Sequence, residues 1–72
     1  MSDTNNQIAA KLRELRETLG LSQGEVAEKL HKTQSYVSRC ETGKRRLDIF
    51  ELEAFAKLYG KPISHFLSSN QN

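Results

Sequence analysis

Apolar side chains recur along this chain at spacings of three and four, the period of a helix buried on one face. Ile8, Leu12, Leu15 and Leu19 make the first such stripe, and Gly20 follows as a left-handed stop. A second helix opens at once with the run "SQGE" at Ser22. There a serine hydroxyl accepts from the amide three residues on while Glu25 reaches back, and Val26, Ala27 and Leu30 supply the inward face as far as His31. Thr33 is the next cap, and the helix it opens turns Val37 and Cys40 inward before Gly43 ends it. Two helices separated by about three residues make a helix, tight turn, helix unit. Asp48 and Glu51 repeat the capping spacing ahead of a longer helix that runs through Tyr59 to Gly60. Ile49, Phe50, Leu52, Ala54, Phe55, Ala56, Leu58 and Tyr59 make that helix apolar nearly all round, the pattern of a central helix contacted from several sides. Pro62 breaks the chain, Ser64 caps a last short helix, and Ile63, Phe66 and Leu67 give that helix something to bury.

Five helices and no strand follow. The expected fold is all-α, a compact five-helix domain containing a helix-turn-helix and occupying residues 1–72. Its ordered core should lie at roughly 6–68, between a polar start (MSDTNN) and a polar end (SSNQN) that fray.

Length allows one small domain, able to bury about 60% of the surface its unfolded chain exposes. The single cysteine, Cys40, forms no internal disulfide and reads as a small buried apolar residue. With no signal-peptide pattern and no long apolar run, a cytoplasmic protein without membrane association is expected. The formal net charge of +2 and pI near 8.9 are too weak a bias to name a partner, so the distribution of charge has to decide. His31 and His65 belong to no recognisable motif. His31 reads as a turn residue and His65 as surface or interface. No nucleophile with a base, no metal-ligand set and no phosphate-cradling glycine loop is present. The expectation is therefore no enzyme, no metal, no cofactor and no small-molecule ligand.

Residues 21–60, "LSQGEVAEKLHKTQSYVSRCETGKRRLDIFELEAFAKLYG", resemble the Cro and phage-repressor type of helix-turn-helix, the XRE family. The marks are the "SQ" opening the second helix, the alanine in its middle, the apolar residue inside the third and "E-x-G-K" closing it. The resemblance implies a domain that binds double-stranded DNA with the third helix in the major groove. One position departs: family members commonly carry glycine in the turn, and this chain has His31, whose Cβ would cost roughly 1 kcal/mol at a left-handed angle.

Helix geometry then sorts the third helix. With Val37 and Cys40 inward, the opposite arc carries Gln34, Ser35, Ser38 and Arg39, with Tyr36 near the edge. An amide can pair bidentately with adenine, a guanidinium with guanine, and a hydroxyl with many base edges. Tyr36 reads either as packed on the scaffold or as reaching a thymine methyl or phosphate, and Ser35 and Ser38 either as readers or as tolerated polar residues. Lys32 and Thr33 precede the helix and Lys44, Arg45 and Arg46 follow it, so cations bracket it at both ends where phosphates would lie. Taken alone, the basic run would more often be a solvated loop; the helix-turn-helix context reverses that reading. The resemblance further implies that Gln23 touches a phosphate and that Glu41 bonds Arg16 on the first helix. One reading helix contacts too few base pairs to select a site, so a homodimer on a pseudo-palindromic operator is expected. Ile63 and Phe66, with His65, lie where the proteins it resembles make two-fold contacts, and Ile63 and Phe66 read alternatively as caps of the core. The rival reading is a protein-interaction or antitoxin-like module on the same fold. That reading calls for acids or bulky apolar groups facing out of the third helix, and neither is present.

Overall fold

The computed structural model describes residues 2–67, with side chains from Thr4 onward, and these form five helices in sequence. They are α1 (Ser2–Thr18), α2 (Gln23–Leu30), α3 (Gln34–Glu41), α4 (Ile49–Tyr59) and α5 (Ser64–Leu67). No strand occurs among the described residues. The polar end, 68–72, lies outside them.

Most of the boundaries after α1's start have a local cause. Ser22 Oγ accepts from the Glu25 amide at 3.0 Å while Glu25 Oε1 accepts from the Ser22 amide at 2.8 Å, a reciprocal cap that satisfies two otherwise orphaned donors. Asp48 and Glu51 repeat it at 2.8 and 2.9 Å, and Thr33 Oγ1 accepts from the Tyr36 amide at 3.1 Å. At the other ends, Gly20, His31 and Gly60 take left-handed backbone angles. The next amide in each case turns back to a carbonyl five residues earlier: Leu21 to Arg16, Lys32 to Ala27, Lys61 to Ala56.

The core is a single cluster to which every helix contributes: Leu12 from α1, Val26 and Ala27 from α2, Tyr36, Val37 and Cys40 from α3, Leu52, Phe55, Ala56 and Tyr59 from α4, and Phe66 from α5. Phe55 stands at its centre, fully buried, with Tyr36 stacked on one side (centroids 6.4 Å apart, planes 8° from parallel) and Tyr59 tilted at 6.0 Å. The hydroxyl of Tyr59 is buried without a hydrogen-bond partner, and burial pushes its pKa up.

Several boundaries and faces differ from the sequence expectation. α1 begins at Ser2, inside the polar run MSDTNN, and Asn5 Nδ2 donates to the Gly43 carbonyl at 2.8 Å, tying that first turn to the end of α3. Leu19 is exposed, because α1 ends at Thr18 and the chain has already begun its turn. Ser64 is the first residue of α5 rather than its cap. The short helix starts from the Pro62 and Ile63 carbonyls, which accept from His65 and Phe66. Leu67 is half exposed. The largest difference concerns α4, which is buried along Leu52, Phe55, Ala56 and Tyr59 but leaves Ile49 54% and Phe50 76% exposed, with Ala54 in solvent as well. A helix contacted on several sides was expected, and in the single chain one side of α4 has no partner.

Candidate nucleic-acid interface

A polar network begins at the packing of α1 against α3. Arg16, from the last turn of α1, forms a two-pronged pair with Glu41 at the end of α3: Nε to Oε2 at 2.7 Å and Nη2 to Oε1 at 3.1 Å. Its third nitrogen donates to the Leu21 carbonyl at 2.9 Å, so one guanidinium joins α1, the turn before α2 and α3. The Glu41 side chain is 1% exposed and that of Arg16 12%, so the pair is largely out of water. The hydrogen bond to Glu41 holds the Arg16 pKa above its ordinary value against the opposing effect of burial. A fork matched to a carboxylate in this setting fixes angle as well as distance. The network runs outward from there. Gln23 Nε2 donates to Glu41 Oε1 at 3.1 Å, and Gln34 Nε2 reaches Gln23 Oε1 at 3.5 Å, the long limit of a hydrogen bond. Gln34, at the first turn of α3, is thereby linked through Gln23 to the buried pair.

Along the outward arc of α3, Gln34, Ser35 and Arg39 are exposed and Ser38 is half-buried. Arg39 Nη1 donates to Ser35 Oγ at 3.3 Å, one turn back, which lays the guanidinium along the helix surface. Among the described residues no carboxylate shares this arc: Glu41 is turned into the protein and Asp48, Glu51 and Glu53 belong to the start and body of α4.

Tyr36 lies on the inward side of that arc. It is 8% exposed, and its hydroxyl donates to Glu51 Oε2 at 3.1 Å. The ring nonetheless organises the surface around it. Lys32 Nζ stands 5.2 Å and Arg45 Cζ 5.1 Å from the ring centroid, both within cation–π range. One cation precedes α3 and the other follows it, so a single buried aromatic gathers the two ends of the basic bracket. Glu51 completes the arrangement by pairing with Arg45 while it caps α4 through Asp48. Desolvation, the largest influence on Glu51, raises its pKa. The hydrogen bonds from Arg45, the Asp48 amide and Tyr36 together outweigh it and leave the carboxyl below its ordinary value. Burial drives the Tyr36 hydroxyl in the opposite direction, well above the usual phenol range. Lys44 and Arg46 are exposed beside Arg45.

The loop carrying these cations is held at Gly43. With φ at 78°, a left-handed angle, this position favours glycine, and a Cβ there would also have to displace the tip of the Asn6 side chain. Thr33 is exposed, with its oxygen accepting from the Tyr36 amide. Three of these links had no signal in the sequence: Gln23 to Glu41, the convergence of Lys32 and Arg45 on Tyr36, and Asn5 to Gly43. The last two join residues distant in the chain or looking outward from different elements, and periodicity carries no record of them. At the far end of the molecule, Phe66 is 1% exposed and belongs to the core. His65 and Ile63 are half-buried, with the His65 carbonyl accepting from Lys11 Nζ at 2.9 Å. Phe66 is thus spent on the chain's own interior and offers no surface to a second copy. Among the described residues no cluster of His, Cys, Asp and Glu could hold a metal ion, and no helix is long and apolar enough to cross a membrane.

Two short helices set against each other by a tight left-handed turn, the second presenting an amide, hydroxyls and a guanidinium, define a helix-turn-helix domain. The chain belongs to that family: the sequence profile of the helix-turn-helix domain matches residues 7–64. Among solved structures it is similar to the DNA-binding domain of BldD from S. venezulae, with 32% sequence identity and a TM-score of 0.79 over 89% of this chain and 96% of that one. It is likewise similar to a crystal structure of the DNA-binding domain of BldD, at 32% identity and a TM-score of 0.82 over 92% of this chain and 96% of that one. No curated protein matches the chain.

Proposed function

We propose that this chain is a sequence-specific regulator of transcription that binds double-stranded DNA, with α3 in the major groove, and that it represses by occupying a promoter. The observation that carries the reading is the chemistry of the outward arc of α3. Gln34, Ser35, Ser38 and Arg39 are free of carboxylates and are flanked by Lys32, Lys44, Arg45 and Arg46. A helix that only faced water would usually carry Glu and Lys there, whereas these side chains match base edges in the groove and the cations match phosphates at its rims. The likeness to a DNA-binding domain in the BldD structures supports the same reading. The buried Arg16–Glu41 pair would hold α3 at its docking angle, and Gln23 and Thr33, at the starts of α2 and α3, would meet the phosphate backbone. One reading helix touches too few base pairs to select a site among a genome's competitors, so two copies on a pseudo-palindromic operator complete the proposal.

Selection of bound duplexes from a random pool, followed by the Arg39→Ala variant, tests this. Arg39→Ala should weaken the selected site by about 1 to 3 kcal/mol and relax preference at one base pair in each half-site. Equal loss on selected and random duplexes would remove Arg39 as a base reader, and the absence of any enriched sequence would remove sequence-specific binding altogether.

A further inference from the structure

The face of α4 that the single chain leaves uncovered has a composition of its own. Phe50, Glu53, Ala54 and Lys57 follow one another at helical spacings of three, one and three, so they share an arc opposite the buried stripe of Leu52, Phe55, Ala56 and Tyr59. Ile49 flanks that arc, and with Phe50 it is among the few large apolar side chains that the fold exposes. These four residues also line a shallow groove of about 310 Å³. Isolated exposed apolar residues are ordinary on a monomer. Here, however, an exposed phenylalanine lies beside a small residue, with one acid and one base a turn apart, and neither charge is held in an ion pair among the described residues.

We propose that this arc is the surface by which two copies of the chain pair, with their α4 helices antiparallel across a two-fold axis. The proposal rests on the two-copy reading above and names the surface for it. A two-fold contact must be complementary to itself, and antiparallel pairing satisfies this with a single register. Phe50 of each copy then faces Lys57 of the other, and Glu53 faces Ala54. The aliphatic stem of Lys57 covers the opposing phenylalanine ring, and its ammonium reaches the opposing Glu53 one turn along. Ala54, beside the axis, lets the helices approach closely. Both charges that are idle in the single chain acquire partners, and the nearly all-round apolarity of α4 acquires a cause. The area is small for a protein interface, so the pairing is a weak association, in the micromolar to millimolar range, that a second anchored surface such as DNA would strengthen.

The test uses the full chain without DNA, its mass followed by sedimentation equilibrium from about 10 µM to about 1 mM. The wild type should pass from monomer to dimer. Phe50→Glu, at a position already 76% exposed, should keep its helical circular dichroism and associate at least about tenfold more weakly. Lys57→Glu should do the same, and Glu53→Lys added to it should restore pairing, which loss of folding could not produce. Ala54→Cys should form an intermolecular disulfide under mild oxidation, whereas Cys40, buried in the core, should not. A wild type that stays monomeric across the range, or a Phe50→Glu variant that pairs as well as wild type, overturns the proposal. Duplex binding of the same variants keeps the two readings apart. No binding by any variant, wild type included, would sink the DNA reading with pairing intact, while cooperative binding of a palindrome by Phe50→Glu equal to wild type would sink the surface alone.

Discussion

Glu41 is a buried carboxylate held by side chains from two other helices. Its two oxygens take three hydrogen bonds, two from Arg16 and one from Gln23, in a side chain almost wholly out of water. Removing one member of such a pair leaves the other as an uncompensated buried charge, a larger effect than the net worth of the pair itself. Glu41→Ala should therefore lower stability by about 3 to 5 kcal/mol. The surface pair of Arg13 with Glu17, 3.1 Å apart but 64% and 53% exposed, serves as the control and should cost less than about 0.5 kcal/mol when Arg13 is replaced by alanine, which leaves Glu17 in place beside Arg16. Chemical denaturation of both variants decides. Similar small losses would mean that water reaches the Arg16–Glu41 pair in solution, and the pair would then not hold the angle between α1 and α3. The identity of the two partners was legible before the structure only through a family resemblance, since no local pattern connects positions 16 and 41. That Glu41 would also hold Gln23, and through it Gln34, was not legible at all.

At the scale of elements, the turn between α2 and α3 sets how α3 is presented, and it closes on an unusual residue. His31 sits at φ 59° and ψ 43°, and among the described residues no other non-glycine has a positive φ. Its amide and that of Lys32 close α2 onto the Ala27 and Glu28 carbonyls, so the geometry is enforced from both sides. A Cβ at this angle costs about 1 to 2 kcal/mol, part of which glycine would return through its greater freedom in the unfolded chain. His31→Gly should stabilise the domain by about 0.5 to 1 kcal/mol, read as a rise of several degrees in Tm with no change in duplex preference. A fall in Tm would mean that the imidazole makes a contact that offsets the strain. Elements such as this one were legible because their causes are local. Ser22 with Glu25, Asp48 with Glu51, and Thr33 each announce a start within four residues, and Gly20 and Gly60 each announce a stop. The burial of α4 was not legible, because apolar spacing reports which residues tend to leave water and not whether one chain supplies enough surface to cover them. Nor was α1's start at Ser2, because the bond that holds it comes from Asn5 to Gly43, far along the chain.

For the whole molecule, the weak net charge conceals how the cations are divided. Lys32 and Arg45 are gathered on the Tyr36 ring, and Arg45 is also paired with Glu51, while Lys44 and Arg46 stand exposed without an ion-pair partner among the described residues. On the DNA-binding reading these groups do not contribute equally to the dependence of affinity on salt. Each phosphate neutralised releases condensed counterions, so log K falls against log salt with a slope of about −0.9 for each contact. A cation already neutralised by a carboxylate exchanges one partner for another and releases less. Lys44→Ala should therefore reduce the magnitude of the slope by about 0.9 for every copy bound, close to 2 for a complex of two copies and close to 1 for one. The loss should be the same on selected and random duplexes, because a phosphate carries no sequence information. Arg45→Ala should change the slope less than Lys44→Ala, while Glu51→Gln, which frees Arg45, should steepen it. Titrations of a palindromic duplex over a several-fold range of salt measure all three. Equal slopes for the Lys44 and Arg45 variants would mean that Glu51 yields Arg45 entirely to the phosphate, and a change near 1 for Lys44→Ala on the full palindrome would mean that a single copy occupies it.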